Sequence, residues 1–286
     1  VSKQIRPLPQ LPTMANLLLR QNPPENKVVV VMGATGTGKS RLSIDLAEYF
    51  GGEVINSDKM QVFRGLDITT NKITDEERSC VPHHLLGISD PLSEFSAGNF
   101  RTLATAAVGS ILSRGNLPLI VGGSNSYVEA LIDSNFRSKF ECCFLWVDVA
   151  LPELHVSLSE RVDRMVHKGM IEEVKEFYRP DGDYSYGILK SIGVPELDRF
   201  FRVESLCDDQ ETRRKILTEA IDAVKINTSK LAFRQLEKIR RLKTVNGWRL
   251  HRLDATEALK KPAGESDAAW DRNVSAPAFS VVSRFL

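Results

Sequence analysis

The chain holds 286 residues, enough to bury a full core and to carry one α/β domain with a smaller lobe. Lysine plus arginine (38) nearly balances aspartate plus glutamate (37), which excludes a global field drawing the protein to nucleic acid and leaves only a local basic face open. No apolar run approaches the roughly 20 residues that span a bilayer. The four cysteines, Cys80, Cys142, Cys143 and Cys207, form no C-x-x-C pair and read as reduced thiols, not as a disulfide frame or zinc site.

Residues 1–26 are rich in proline and asparagine and read as a loose lead-in with no signal-peptide pattern. The stretch KVVVVMGATGTGKS, Lys27 to Ser40, follows. Its β-branched run predicts a buried strand that breaks at Gly33 into a glycine-rich turn. Gly33, Gly38, Lys39 and Ser40 then satisfy G-x-x-x-x-G-K-[ST], and Leu42, Leu46 and Phe50 line one face of a helix stopped by Gly51-Gly52. Glycines in such a turn let successive N–H groups converge on an anion at a helix N-terminus. The span Gly33, Ala34, Thr35, Gly36, Thr37, Gly38, Lys39 and Ser40 is therefore a phosphate-binding loop, with Lys39 as a point charge and the Ser40 hydroxyl as a Mg²⁺ ligand.

A second strand is expected over Glu53–Phe63, running into Asn56-Ser57-Asp58. Polar residues at the carboxyl end of a strand beside the phosphate loop face the ligand crevice of an open α/β sheet. Asp58 is thus a candidate catalytic group, the plainer reading being a cap for the next turn. The polar, proline-bearing stretch that follows is too long for a simple connection and reads as a functional loop. Its His83-His84 pair lacks an evident third metal ligand, so structural or substrate-loop roles are preferred. Ser96 caps a helix carrying Phe100, Leu103, Ala107 and Ile111, with Gly115 past its end. Leu117–Ile132 repeats strand, Gly122-Gly123 turn and helix, but this strand ends without the acid that an ATP-hydrolysing site uses to hold Mg²⁺. The strand Cys142–Ala150, with Asp148 near its end, reads as structural.

From Pro152 the chain turns helical. One amphipathic helix is expected from Leu154 to Tyr178, then a loop-to-helix segment with Lys190, then a long helix over 219–243 bearing the i, i+4 pair Lys230 and Arg234. A late strand, a polar segment and a closing apolar helix end the chain. The fold class is α/β, a P-loop NTPase-like parallel sheet flanked by helices with a smaller helical lobe. The units are a core at 27–150, a helical lobe at 151–245 closing over the crevice, and a strand and helix at 246–286 returning to the core.

The ordered blocks NSDKMQVFRGLDITTNKIT, VPHHLLGISDP, IVGGSNSYVEAL, RVDRMVHKGMIEEV and SIGVPE resemble the isopentenyltransferases, and the resemblance covers most of the chain. Gly122 to Tyr127 and Ser191 to Glu196 are similar to the plant-type adenylate branch. The run Ala232-Phe233-Arg234-Gln235 departs from the Ala-Lys-Arg-Gln of the tRNA branch, and no C-terminal Cys/His finger is present. The stretch from Asp133 to Phe136 reads shorter than in relatives. The resemblance implies transfer of a dimethylallyl group from dimethylallyl diphosphate to N6 of adenine in AMP, ADP or ATP, with Mg²⁺. Asp58 is then the base, Thr35 hydrogen-bonds between amine and bridging oxygen, and Lys39 with Arg161 stabilises the leaving diphosphate. Asn56, Ser57, Gln61, Ser126 and Tyr127 are expected to line the adenine pocket, with Lys190, Lys230 and Arg234 meeting the nucleotide phosphates. A monomer in plastid or cytoplasm, without tRNA or membrane as partner, is expected. The alternatives are a tRNA dimethylallyltransferase, a small-molecule P-loop kinase, and a nucleotide-regulated module without catalysis.

Overall fold

A computed structural model describes residues 25–180, 182–204 and 209–286; most of the lead-in and Cys207 lie outside the described residues. Six strands form one wholly parallel sheet: β1 (Lys27–Gly33), β2 (Gly52–Asn56), β3 (His83–His84), β4 (Leu117–Val121), β5 (Glu141–Asp148) and β6 (Leu250–Asp254), in the order β3-β2-β4-β1-β5-β6. β1 is central, with Val30 opposite Ile120 on one side and Phe144 on the other. Its Val28–Met32 run is fully buried, as a continuous apolar strand requires when helices cover both faces of a parallel sheet.

Helix α1 (Lys39–Phe50) follows the phosphate loop and ends at Gly51, φ +68°. Helix α2 (Ala97–Ser113) starts with the expected Ser96 cap, reinforced because the Asn99 side chain bonds back to the Ser96 amide. Helix α3 (Asn125–Leu131) follows β4. The short stretch after Asp133 makes helix α4 (Ser134–Lys139), capped by the Asp133 carboxylate on the Phe136 amide.

Three expectations about extent are corrected. The second strand stops at Asn56, because the Ser57 amide turns to the Val121 carbonyl and the chain enters a turn. The single helix expected from Leu154 is two, α5 (Leu151–His167) and α6 (Met170–Phe177), broken at Gly169 with φ +99°. The polar segment before the closing helix α11 (Ala276–Phe285) is itself helical, as α9 (Thr256–Lys260), α10 (Ala263–Trp270) and a π-helical turn over Asp271–Ser275. Between these lie a 3-10 turn at Gly187–Lys190, α7 (Val194–Glu204) and the 35-residue α8 (Gln210–Thr244).

Two apolar cores result. One sits around the sheet; the other joins Met165, Met170, Val174, Leu197 and Phe200 of the helical lobe to Val62, Phe63 and Leu66, which follow β2. The segment after Asp58 is therefore built into the helical lobe, and the crevice wall is shared between the two units.

Candidate active site

The phosphate loop leaves central β1 and is gripped from both sides. A Cβ at Gly36 (φ +83°) would stand 2.7 Å from Leu158 of α5, and one at Gly38 (φ +92°) 2.6 Å from the Trp270 ring of α10. Trp270 is held in turn by its indole N–H on Asp45 (2.9 Å) and by the Arg41 guanidinium lying 4.7 Å over its ring. The C-terminal helices thus buttress the loop, a role with no local sequence signal.

The loop opens on a cavity of about 250 Å³ whose walls include Thr35, Lys39, Ser40, Asp58, Gly122 and Arg161. Arg161, from α5, donates to Thr35 Oγ1 at 2.9 Å. Its Nε is buried without a partner, an orphan donor that an anionic ligand would satisfy. Burial pushes the Arg161 guanidinium down to about 10, with Asp58 opposing that shift. Burial likewise pushes Lys39 down to about 8, opposed by Asp58 and reinforced by Arg161. Lys39 Nζ donates to the Ala34 carbonyl at 2.6 Å. Two desolvated cations on one cavity wall describe a site for a multiply charged anion.

Asp58 caps the next turn and also stands on the cavity wall. Its Oδ1 accepts the Met60 amide (2.9 Å), capping the turn, while the residue lines the same cavity as Lys39 and Arg161. The Asn56 carboxamide fixes that turn by accepting from the Asp58 amide (3.1 Å) and donating to the Leu85 carbonyl (3.0 Å). Gly122 allows the close approach: a Cβ there would meet Ser57 C at 2.5 Å and Asp58 N at 2.8 Å.

Several expected contacts are placed differently. Asn56 and Gln61 line the cavity, but their side-chain N–H groups donate to backbone carbonyls, those of Leu85 for Asn56 and of Thr70 and Asn71 for Gln61. They shape the wall. Tyr127 is core: its ring stacks on Phe100 with centroids 4.8 Å apart, its hydroxyl donates to the Phe95 carbonyl, and burial pushes its phenol up to about 12. Ser57 is fully buried beneath Gly122. Gly33, Ala34 and Thr37 form the buried underside of the loop, Thr37 Oγ1 donating to the Ala34 carbonyl. Ser126, Lys190, Lys230 and Arg234 do not line the cavity; the three cations are solvent-exposed and carry no ion pair among the described residues.

His84 bonds the buried Glu53 carboxylate at 2.7 Å, whose pKa of about 2 reflects the Arg114, Asn116 and His84 hydrogen bonds overcoming burial. His83 lines the cavity. Asp148 is structural, as expected, held by Arg252 at 2.6 Å. Gln235 was not foreseen as a site residue. It reaches from α8 to accept the Thr35 amide at 2.8 Å and packs against Gly123.

A phosphate loop on a central strand of a parallel sheet, facing a carboxylate just past a nearby strand end, defines a P-loop-type α/β protein with an anion-binding crevice. The IPP transferase family model matches residues 61–140 and 133–242. The chain is 53% identical over 296 residues to "Adenylate isopentenyltransferase 3, chloroplastic" of Arabidopsis thaliana, covering 98% of this chain and 88% of that protein. It is 47% identical over 294 residues to "Adenylate isopentenyltransferase" of Humulus lupulus, covering 90% and 89%. Among solved structures, a eukaryotic dimethylallyltransferase acting on tRNA superposes with a TM-score of 0.78 at 26% identity, over 91% of this chain and 79% of that one. A tRNA isopentenylpyrophosphate transferase from Bacillus halodurans gives 0.71 at 27%, over 90% and 98%. The chain belongs to the IPP transferase family.

Proposed function

We propose that this protein transfers the dimethylallyl group of dimethylallyl diphosphate to N6 of adenine in a free nucleotide, the first committed step towards cytokinins. The observation that carries the reading is the convergence of Lys39, Arg161 and Asp58 on one cavity, beside a strand that ends in Gly122-Gly123 and not in an acid. A loop that holds a departing diphosphate has no need of the acid that serves ATP hydrolysis. What favours this reading over a kinase is the family match, with which the missing acid agrees. The relatives with identities of 47–53% carry names of adenylate isopentenyltransferases, which supports a nucleotide acceptor over tRNA.

In this reading the allylic C1–O bond breaks, the electron pair leaves with diphosphate, and the N6–C1 bond forms. Loop amides, Lys39 and Arg161 oppose the charge as it develops on diphosphate. The exocyclic amine is a weak nucleophile because its lone pair is delocalised into the ring, and Asp58 accepts its proton as attack proceeds. Thr35 Oγ1 accepts from Arg161, so its own hydrogen is free to bridge towards the leaving oxygen. Gln235 holds the Thr35 amide in place. ADP and ATP are the preferred acceptors in this reading: Lys190, Lys230 and Arg234 stand exposed and outside the cavity lining, available only to phosphates that project beyond it.

The residues present fit a Mg²⁺ ion. Ser40 and Asp58 offer hard oxygen donors to the cavity, and among the described residues no group of three His, Cys, Asp or Glu could hold a metal unaided. Such a set suits an ion held mostly by substrate phosphates and water, with Ser40 as its protein ligand. When bound, Mg²⁺ adds further charge stabilisation to the diphosphate. The plastid is the proposed compartment, as in the names of several relatives. The purified protein should form the N6-dimethylallyl nucleotide, and Asp58→Ala should lower kcat by about 10²–10⁴-fold, the usual worth of a general base. Unchanged turnover in that variant would remove Asp58 from the mechanism.

A further inference from the structure

A second cavity, of about 580 Å³, lies at the opposite end of the sheet from the phosphate loop, beside the first residues of β5 and β6. Arg137, Arg249 and Arg284 rim it, and Phe144, Trp248 and Phe285 supply an apolar floor. The Arg137 guanidinium lies 4.9 Å over the Trp248 ring and 5.4 Å over Phe144, which orients its planar fork before any ligand arrives. None of the three arginines has a carboxylate partner among the described residues, and no acid lines the cavity. The neighbouring acids are engaged elsewhere, Glu141 with Lys27 (3.6 Å) and Asp133 with Arg101 (3.4 Å). Burial pushes the Cys142 and Cys143 thiols up to about 11, so the floor is uncharged at neutral pH.

The chain's own lead-in offers the rim no counter-charge. Residues 1–24 include Lys3, Arg6 and Arg20 and no acid, the same sign as the rim. What does complement three guanidinium groups without carboxylate partners above an aromatic floor is a phosphate ester with an apolar body. We propose that this cavity is a second ligand site, separate from the catalytic crevice, for a phosphorylated small molecule of nucleotide or prenyl diphosphate size. Both candidate sources share the same chemistry, a di- or triphosphate head for the arginines and a base or hydrocarbon for the floor. The site does not depend on the reaction assigned above.

Isothermal titration of the full chain with ATP, with dimethylallyl diphosphate and with inorganic tripolyphosphate tests it. At least one organic probe should fill two sites per chain, and whichever does identifies the source. The Arg249→Gln/Arg284→Gln variant should weaken the second site by about tenfold or more while kcat stays unchanged, because both residues are exposed and remote from the crevice. Single Arg249→Gln should show an intermediate loss. One site per chain for every probe, or a second site indifferent to these substitutions, would overturn the proposal. Tripolyphosphate binding as tightly as the organic probes would overturn the role given to the aromatic floor.

Discussion

Gly122→Ala is the sharpest perturbation that the site geometry allows. The added methyl would fall 2.5 Å from Ser57 C and 2.8 Å from Asp58 N, and against Ser57 Oγ as well. Ordinary contact begins at 3.4 Å, so backbone must yield by about 0.9 Å, and the backbone in question carries Asp58. No flexible side chain can absorb the overlap. Overpacking of this kind destabilises by about 1–3 kcal/mol. The larger effect falls on chemistry, since a misplacement near 1 Å costs on the order of 10²-fold in rate. Steady-state kinetics at saturating nucleotide and donor should show kcat down about a hundredfold, with a modest fall in Tm. Gly109→Ala is the matched control: it lies inside α2 with nothing within 4 Å, and helix propensity predicts a gain of about 0.5–1 kcal/mol with unchanged kcat. Wild-type kcat in Gly122→Ala would show that the Asp58 turn is not held where the mechanism needs it.

Other outcomes follow from the same geometry. Because burial holds Lys39 near 8, the free enzyme loses that positive charge as pH rises past this value. The kcat/KM for the allylic donor should therefore fall above about pH 8, and Lys39→Arg should move that limb to higher pH. A limb that stays put in Lys39→Arg would assign it to another group. Glu173 of α6 accepts the Ile68 amide (2.9 Å), the Thr69 amide (2.8 Å) and the Thr69 hydroxyl (2.7 Å), clamping the stretch that leads to cavity-lining Asn71. Glu173→Ala should cost about 2 kcal/mol through orphaned donors, lowering Tm by several degrees and raising substrate KM, with partial rescue in Glu173→Gln. Gln235→Ala deprives the Thr35 amide of its acceptor and should lower kcat/KM for the donor about tenfold, while leaving nucleotide KM near wild type.

What the sequence disclosed was whatever is encoded locally. The β-branched run, the glycine spacing and Lys39 announced strand, loop and helix together, and the Ser96 cap and the Gly115 stop bounded α2 correctly. The place of Asp58 on the cavity wall was legible from its position just past a strand end. The roles that were misjudged depend on contacts distant in sequence. Tyr127 looks like a pocket residue until α2 supplies Phe100 to stack on it. Asn56 and Gln61 do line the cavity, but no local pattern announces the carbonyls of Leu85, Thr70 and Asn71 that engage their amides. Gln235 and Trp270 reach the phosphate loop from 200 and more than 230 residues away, and no periodicity could announce that. The break at Gly169 was written in the sequence, but the amphipathic pattern on either side masked it.

The central claim is the acceptor. The most direct measurement is one incubation of the purified chain with labelled dimethylallyl diphosphate and Mg²⁺, offering AMP, ADP, ATP and unmodified tRNA in parallel. Label on the free nucleotides, with ADP or ATP ahead of AMP, is the predicted result. Label on tRNA alone would contradict it and place this chain's activity with its structural neighbours that act on tRNA.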